Sequence, residues 1–313
     1  MQFQKLLKLR EPEIWRKNFE AINVSIREAI WKLSNQDAGP PVFIVGCSRS
    51  GTTVTYETII KAREIIGFGY ELPQFWDRLY GPKLNNWESE AATEENASAE
   101  FRDRFLAHCY ARLGSGRILD KTCINVMRIS FLNALFPEAR FVFIHRDGRE
   151  NVSSLIDGWR DGRFELGQFL GPPPTEVSIN RGEFSHWHFF LPPGWEKFNE
   201  ASLEKVCAYQ WNIANRLALE AKRDIDSERW IELRYEDILT QPYDLFESVF
   251  AKLEFEFSPT MQKWCASLNK NPTSMVTGPP SHDKWKRRNP NEIEKIIPMI
   301  APVMEELGRT LES

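Results

Sequence analysis

Cysteine is scarce and unpatterned in this 313-residue chain. Its five cysteines, Cys47, Cys109, Cys123, Cys207 and Cys265, are scattered, odd in number and include no C-x-x-C. That spacing gives neither a zinc site nor a disulfide framework, and predicts reduced thiols in an intracellular setting. No run of some 18 apolar residues occurs, so no membrane span is expected. The segment Met1 to Arg10 is short and interrupted by charge, which does not read as a secretory signal. Charge of one sign is also lacking. A net charge of −4 gives no general attraction to nucleic acid, so a polyanionic partner would need a local basic patch. No internal repeat or low-complexity boundary is present, and residues 1–313 read as one domain. A hydrophobic content of 42% suits a packed α/β core.

Period and punctuation set the expected order of elements. Ile14, Trp15, Phe19, Ile22, Ile26, Ile30 and Leu33 recur at helical spacing, predicting a leading helix over 11–35 that packs on the sheet or forms an interface. Apolar runs at 42–45, 117–121, 140–145 and 230–235 read as strands. Helical stretches follow to about 62, to about 113, at 125–135, at 148–157 and at 201–223. Strands alternating with helices predict a parallel, doubly wound sheet flanked by helices, with ligands outside the carboxyl ends of its strands. Residues 67–87 read as irregular and aromatic, and Glu88 to Glu100 as a solvated acidic face. Residues 158–200 break the rhythm with Pro172–Pro174, Pro192, Pro193, Trp159, Trp187, Trp195, Phe189 and Phe190. This insert is too aromatic for a disordered linker and is expected to be a lid or acceptor wall. The last third reads as helical around a loop at 270–290.

The first strand runs into Gly46-Cys47-Ser48-Arg49-Ser50-Gly51-Thr52-Thr53. A tight glycine-bracketed loop followed at once by a helix converges backbone N–H groups on one anion. The nucleotide-hydrolase pattern would place lysine at position 52. Thr52 stands there, and Arg49 lies inside the loop, which suits a 5′-phosphate with no third phosphate. A phosphatase pattern from Cys47 would need arginine at position 53, which is Thr53. The strand Arg140–His145 leads to Arg146, with Ser154 eight residues on, on the next helix. A guanidinium fork and a hydroxyl so placed grip a second anion.

Together these passages resemble the two nucleotide-binding signatures of sulfotransferases that use 3′-phosphoadenosine-5′-phosphosulfate (PAPS). The resemblance covers roughly residues 40 to 290. It implies a P-loop NTPase-like fold and transfer of a sulfonate group from PAPS to a hydroxyl or amine of an acceptor such as a carbohydrate, lipid or small alcohol. It implies no metal. By this resemblance Cys47, Ser48, Arg49, Ser50, Gly51, Thr52 and Thr53 surround the 5′-phosphosulfate, and Arg146 and Ser154 hold the 3′-phosphate. Ser153 is the alternative if the helix is out of phase by one. Tyr235 would stack in the adenine pocket. Lys284, Trp285, Lys286 and Arg287, with Arg288, would cover a phosphate. The resemblance also allows Golgi enzymes with an N-terminal anchor, but with no span expected and a donor made in the cytosol, a cytoplasmic location is the expectation.

The resemblance also places Lys121 at the leaving bridging oxygen, but Cys123 stands where cytosolic members carry a histidine base. A thiol is poorly suited to that task. Glu71, 22 residues after Arg49, matches the base of the tyrosylprotein branch, where an aromatic setting would favour its proton uptake. His186 or His188 of the insert is the alternative base, while His145, ending a buried strand, reads as core. Catalysis would rest on Arg49, Glu71 and Lys121. Two rivals stand beside this reading: an ATP-dependent phosphate-loop kinase and a non-catalytic nucleotide-binding scaffold.

Overall fold

The computed structural model describes residues 22–31, 39–162, 164–166, 171, 173–268 and 283–310. Five strands, β1 (Val42–Val45), β2 (Ile65–Ile66), β3 (Arg117–Asp120), β4 (Arg140–His145) and β5 (Trp230–Arg234), form a parallel sheet in the order β2-β3-β1-β4-β5. β1 lies centrally, with Phe43 opposite Asp120 on one side and Val45 opposite Phe143 on the other.

Alternation sorts the strand residues onto two cores. Phe43, Val45, Phe141 and Phe143 pack with the helices Ala99–Leu113, Ile129–Leu135, Gly148–Arg160, Leu203–Lys222 and Pro290–Glu306. Val42, Ile44, Val142, Ile144, Ile231 and Leu233 pack with Thr52–Ile59, Pro242–Leu253 and Pro259–Cys265. Burial on both faces is why β1 and β4 read as unbroken apolar runs. Phe43 meets the rings of Trp76, Phe105, Phe136 and Phe141 at 5.7–6.3 Å. Such a buried phenylalanine contributes about 3–5 kcal/mol relative to alanine.

Several elements depart from the sequence reading. The strands end at Asp120 and Arg234, leaving Lys121 in a loop and Tyr235 as the first residue of a helix. The two-residue β2 lies in a stretch the sequence left unassigned, and the helix Pro73–Leu79 lies where irregular chain was expected. The 125–135 stretch divides into a short 3-10 turn, Cys123–Met127, and the helix Ile129–Leu135. Of the leading helix, 22–31 is helical and the rest lies outside the described residues. Its isoleucine stripe does not pack on the sheet: Ile22, Ile26 and Ile30 are 58%, 52% and 44% exposed, while Trp31 is buried against Tyr110.

The aromatic insert is also mostly core. Trp159 belongs to the preceding helix, and Trp187, Phe190 and Trp195 are buried in the larger cluster. They hold the insert down rather than facing a cleft. Phe164, Leu166 and Phe189 of the insert do line a groove. Most of the 270–290 loop lies outside the described residues.

Candidate active site

Because every strand is parallel, the carboxyl ends of β1, β3, β4 and β5 share one edge of the sheet. The loop after β1 turns through Arg49, with φ of 71°, and Gly51, with φ of 109°, before the helix Thr52–Ile59. A side chain at Gly51 would meet the Tyr235 ring at 2.5 Å, so this position combines a left-handed backbone with close packing. Cys47 is buried behind the loop, and burial pushes its thiol well above its ordinary pKa, as suits a wall residue. Ser50 Oγ is buried and has no partner among the described residues. Asn151 Nδ2 donates to the Ser48 carbonyl at 2.8 Å and ties the loop to the helix Gly148–Arg160. Thr52 Oγ1 is 3.8 Å from Cys123 Sγ, and Thr53 lines the neighbouring groove.

The second grip meets the first. Arg49 Nε donates to Ser154 Oγ at 3.1 Å, and Arg146 Nη1 donates to the Arg49 carbonyl at 3.3 Å. The Arg146 guanidinium lies over the Tyr235 ring, 4.5 Å from its centroid, and its Nη2 donates to Glu150 Oε2 at 3.0 Å. Arg146 Nε is buried without a partner among the described residues. Ser153 does not replace Ser154. It is turned into the core, where its hydroxyl accepts from Asn289 Nδ2 at 2.9 Å. Tyr235 thus braces Gly51 and Arg146.

The basic cluster divides. Burial, together with Arg146 and Arg288, pushes the Lys284 amine below its ordinary value. Trp285 receives the Arg149 guanidinium 5.8 Å from its ring centroid. Lys286 pairs with Asp283 at 3.0 Å and Arg288 with Asp157 at 2.6 Å, while Arg287 is exposed.

At the tip of β3, Lys121 Nζ donates to Glu71 Oε1 at 2.7 Å. The Cys123 backbone N–H donates to Glu71 Oε2 at 2.8 Å. The Cys123 thiol is 3.4 Å from Glu71 Oε1, and burial followed by the Glu71 charge pushes it up to about 12. It stays protonated at neutral pH and is no base. The segment bearing Glu71 is fixed from both sides. The Gly69 N–H donates to the Tyr56 hydroxyl at 2.7 Å, and the Leu72 N–H donates to Thr122 Oγ1 at 3.0 Å. Thr122, Trp76 and Asn125 all donate to Asp120, whose carboxyl burial raises to about 6. Glu71, Lys121 and Cys123 line a groove of about 2160 Å³ together with Tyr70, Phe75, Arg78, His108 and Phe164.

His145, His186 and His188 stand apart from this pair. His145 is buried, with Nδ1 accepting from Arg309 Nε at 3.1 Å and Nε2 3.2 Å from Glu232. His188 is buried against Trp159, and His186 pairs with Glu165 at 3.2 Å. Sequence reasoning missed Asn151 and Tyr56. Asn151 stands three residues before Ser154 and Tyr56 three after Thr53, so helical spacing from each motif was the available signal.

The sequence profile of the sulfotransferase family matches residues 40–188. A protein-tyrosine sulfotransferase of Drosophila melanogaster is 22% identical over 86% of this chain and 51% of its own length, so the chain spans about half of that relative. Human protein-tyrosine sulfotransferase 1 is 30% identical over 37% of this chain and 34% of its own length. The fold is similar to that of the sulfotransferase STF9 from Mycobacterium avium, with a TM-score of 0.57 and 14% identity, covering 95% of this chain and 86% of that one. Among the described residues, no helix is long and apolar enough to cross a membrane. With both signatures at the strand tips, the chain is similar to the sulfotransferase family over residues 40–188 and shares the fold of a solved sulfotransferase.

Proposed function

We propose that this protein transfers the sulfonate group of PAPS to the hydroxyl of an acceptor entering the groove beside Glu71. The observation that carries this reading is the Glu71–Lys121 pair at 2.7 Å, one strand away from the Gly46–Gly51 loop. Glu71 takes the hydroxyl proton. The acceptor oxygen forms a bond to sulfur as the bond from sulfur to the bridging oxygen breaks, releasing 3′-phosphoadenosine 5′-phosphate. Lys121 balances charge on the departing oxygen, and Arg49 with the loop amides balances charge on the transferring group. Ser50 Oγ at one grip and Arg146 Nε at the other are buried polar atoms without partners among the described residues, which supports a ligand with an anion at each end.

Small-molecule sites occupy about 300–1,000 Å³. The larger groove supports an acceptor bigger than a small alcohol. Because relatives are named for protein tyrosine, a tyrosine-bearing polypeptide is the first acceptor to screen, ahead of carbohydrates and lipids. Five free cysteines support a reducing, cytoplasmic setting. The test is calorimetry together with transfer of labelled sulfonate. 3′-Phosphoadenosine 5′-phosphate should bind far more tightly than ATP. Glu71→Gln should retain that binding and lower kcat by about 10³-fold, within the range for a general base. Preferential ATP binding with magnesium-dependent hydrolysis would replace this reading with a kinase. Nucleotide binding without transfer to any acceptor would leave a scaffold.

A further inference from the structure

We propose that Glu150 is an internal competitor for the nucleotide's 3′-phosphate, occupying the Arg146 fork and promoting release of the spent nucleotide. This rests on the nucleotide reading above. Its basis is placement. Glu150 Oε2 accepts from Arg146 Nη2 at 3.0 Å, and the two side chains are only 10% and 11% exposed. Glu150 and Ser154 are four residues apart on the helix Gly148–Arg160, so they share a face. The carboxylate therefore projects toward the position that Arg146 and Ser154 would grip, and it holds there the nitrogen a phosphate would need.

The neighbouring charges make this carboxylate a poor permanent partner. On its own segment Glu150 faces Arg146, Asp147 and Arg149. The chain before the helix Trp285–Arg288 presents Asp283 and both the backbone and the amine of Lys284, and the end of β5 presents Tyr235. Burial disfavours its charged form, and Asp147 and Asp283 add to that, so Arg146 is the main cation offsetting it. A phosphate that takes Arg146 leaves a buried carboxylate beside a dianion. Glu150 then takes up a proton as the phosphate takes its partner. The cost of that uptake weakens the bound state and favours departure of the spent nucleotide, a step that limits turnover in many enzymes.

The test uses the full chain with 3′-phosphoadenosine 5′-phosphate and adenosine 5′-phosphate as probes. Glu150→Gln should tighten binding of the first on the order of tenfold, slow its dissociation and leave the second unchanged. In wild type, calorimetry in buffers of different ionisation enthalpy should show proton uptake with the doubly phosphorylated probe. Glu150→Gln should abolish that uptake. This wild-type measurement stands even if the variant folds poorly. Unchanged or weaker binding in a folded Glu150→Gln, or no proton uptake in wild type, overturns the proposal and leaves Glu150 as a positioning residue for Arg146. A wild type that does not distinguish the two probes removes the nucleotide reading itself, and this proposal with it.

Discussion

At the tips of β1, β4 and β5 the loops proposed to grip anions depend on backbone shape: a left-handed Arg49, a left-handed Gly51, and carbonyls of Ser48 and Arg49 that accept from Asn151 and Arg146. One strand away, at β3, the pair proposed to act on the acceptor depends on side chains from separate segments. Glu71 and Lys121 are 50 residues apart in sequence, and Tyr56 and Thr122 hold the strand of chain between them from either side. The donor end joins two short signatures, with Arg49 and Ser154 105 residues apart, and is crowded in space. The acceptor end joins single side chains 50 residues apart and opens onto a wide groove. A crowded end tolerates little change of shape, whereas an open end can vary its walls while keeping one ion pair.

Removing Arg49 should break the donor end hardest. Arg49→Ala is expected to lower kcat/KM by about 3 kcal/mol, on the order of 10²-fold, as when an oxyanion donor is removed. Steady-state kinetics with labelled donor measures it, and unchanged turnover would reject its role. Two glycines then sharpen the contrast. Gly51→Ala must push a Cβ against the Tyr235 ring at 2.5 Å, while Gly69, with φ of 76°, has open space around it. Both substitutions strain a left-handed backbone by about 1 kcal/mol. Only Gly51→Ala adds overpacking, for a further loss of about 1–3 kcal/mol. Thermal melts should therefore rank Gly51→Ala well below Gly69→Ala, and equal losses would deny the difference in crowding.

The smallest effect is a matter of pH. On the groove wall His108 packs 4.4 Å from Phe75, and burial, aided by Arg112 and Arg78, lowers its pKa from 6.5 to about 4. Its folded value is depressed, so its contribution to stability is present above pH 6.5 and is lost as pH falls through 4. Near the donor end, Glu232 is lowered from 4.5 to about 2, chiefly by its hydrogen bond with His145, so its contribution fades only between those values. His108→Phe should flatten the decline in melting temperature between pH 6.5 and 4 and leave the more acidic limb intact. A decline unchanged in that upper window would count against it.

What could be read from the chain follows the same division. β1 and β4 announced themselves because both faces of each strand are buried, and the loops after them carry their chemistry within a few residues. β2 escaped because two isoleucines have no period. Trp187 and Trp195 misled because an aromatic side chain fills a core as readily as it lines a cleft, and only packing decides which. Ser154 was preferred to Ser153 on spacing. The structure supplies the reason in Asn289, which claims Ser153 from 136 residues away. Glu71 and Lys121 were reached through the family resemblance. Their pairing, and that of Glu71 with Cys123, required knowing that β3 lies beside β1.

The hydrogen bonds from Asn151 to Ser48 and from Arg49 to Ser154 bind the loop after β1 and the helix after β4 into one mechanical piece. A chimera that imports one signature from a relative without the other would inherit a mismatched joint. Redesign of donor preference in this scaffold must therefore exchange both segments as a matched set.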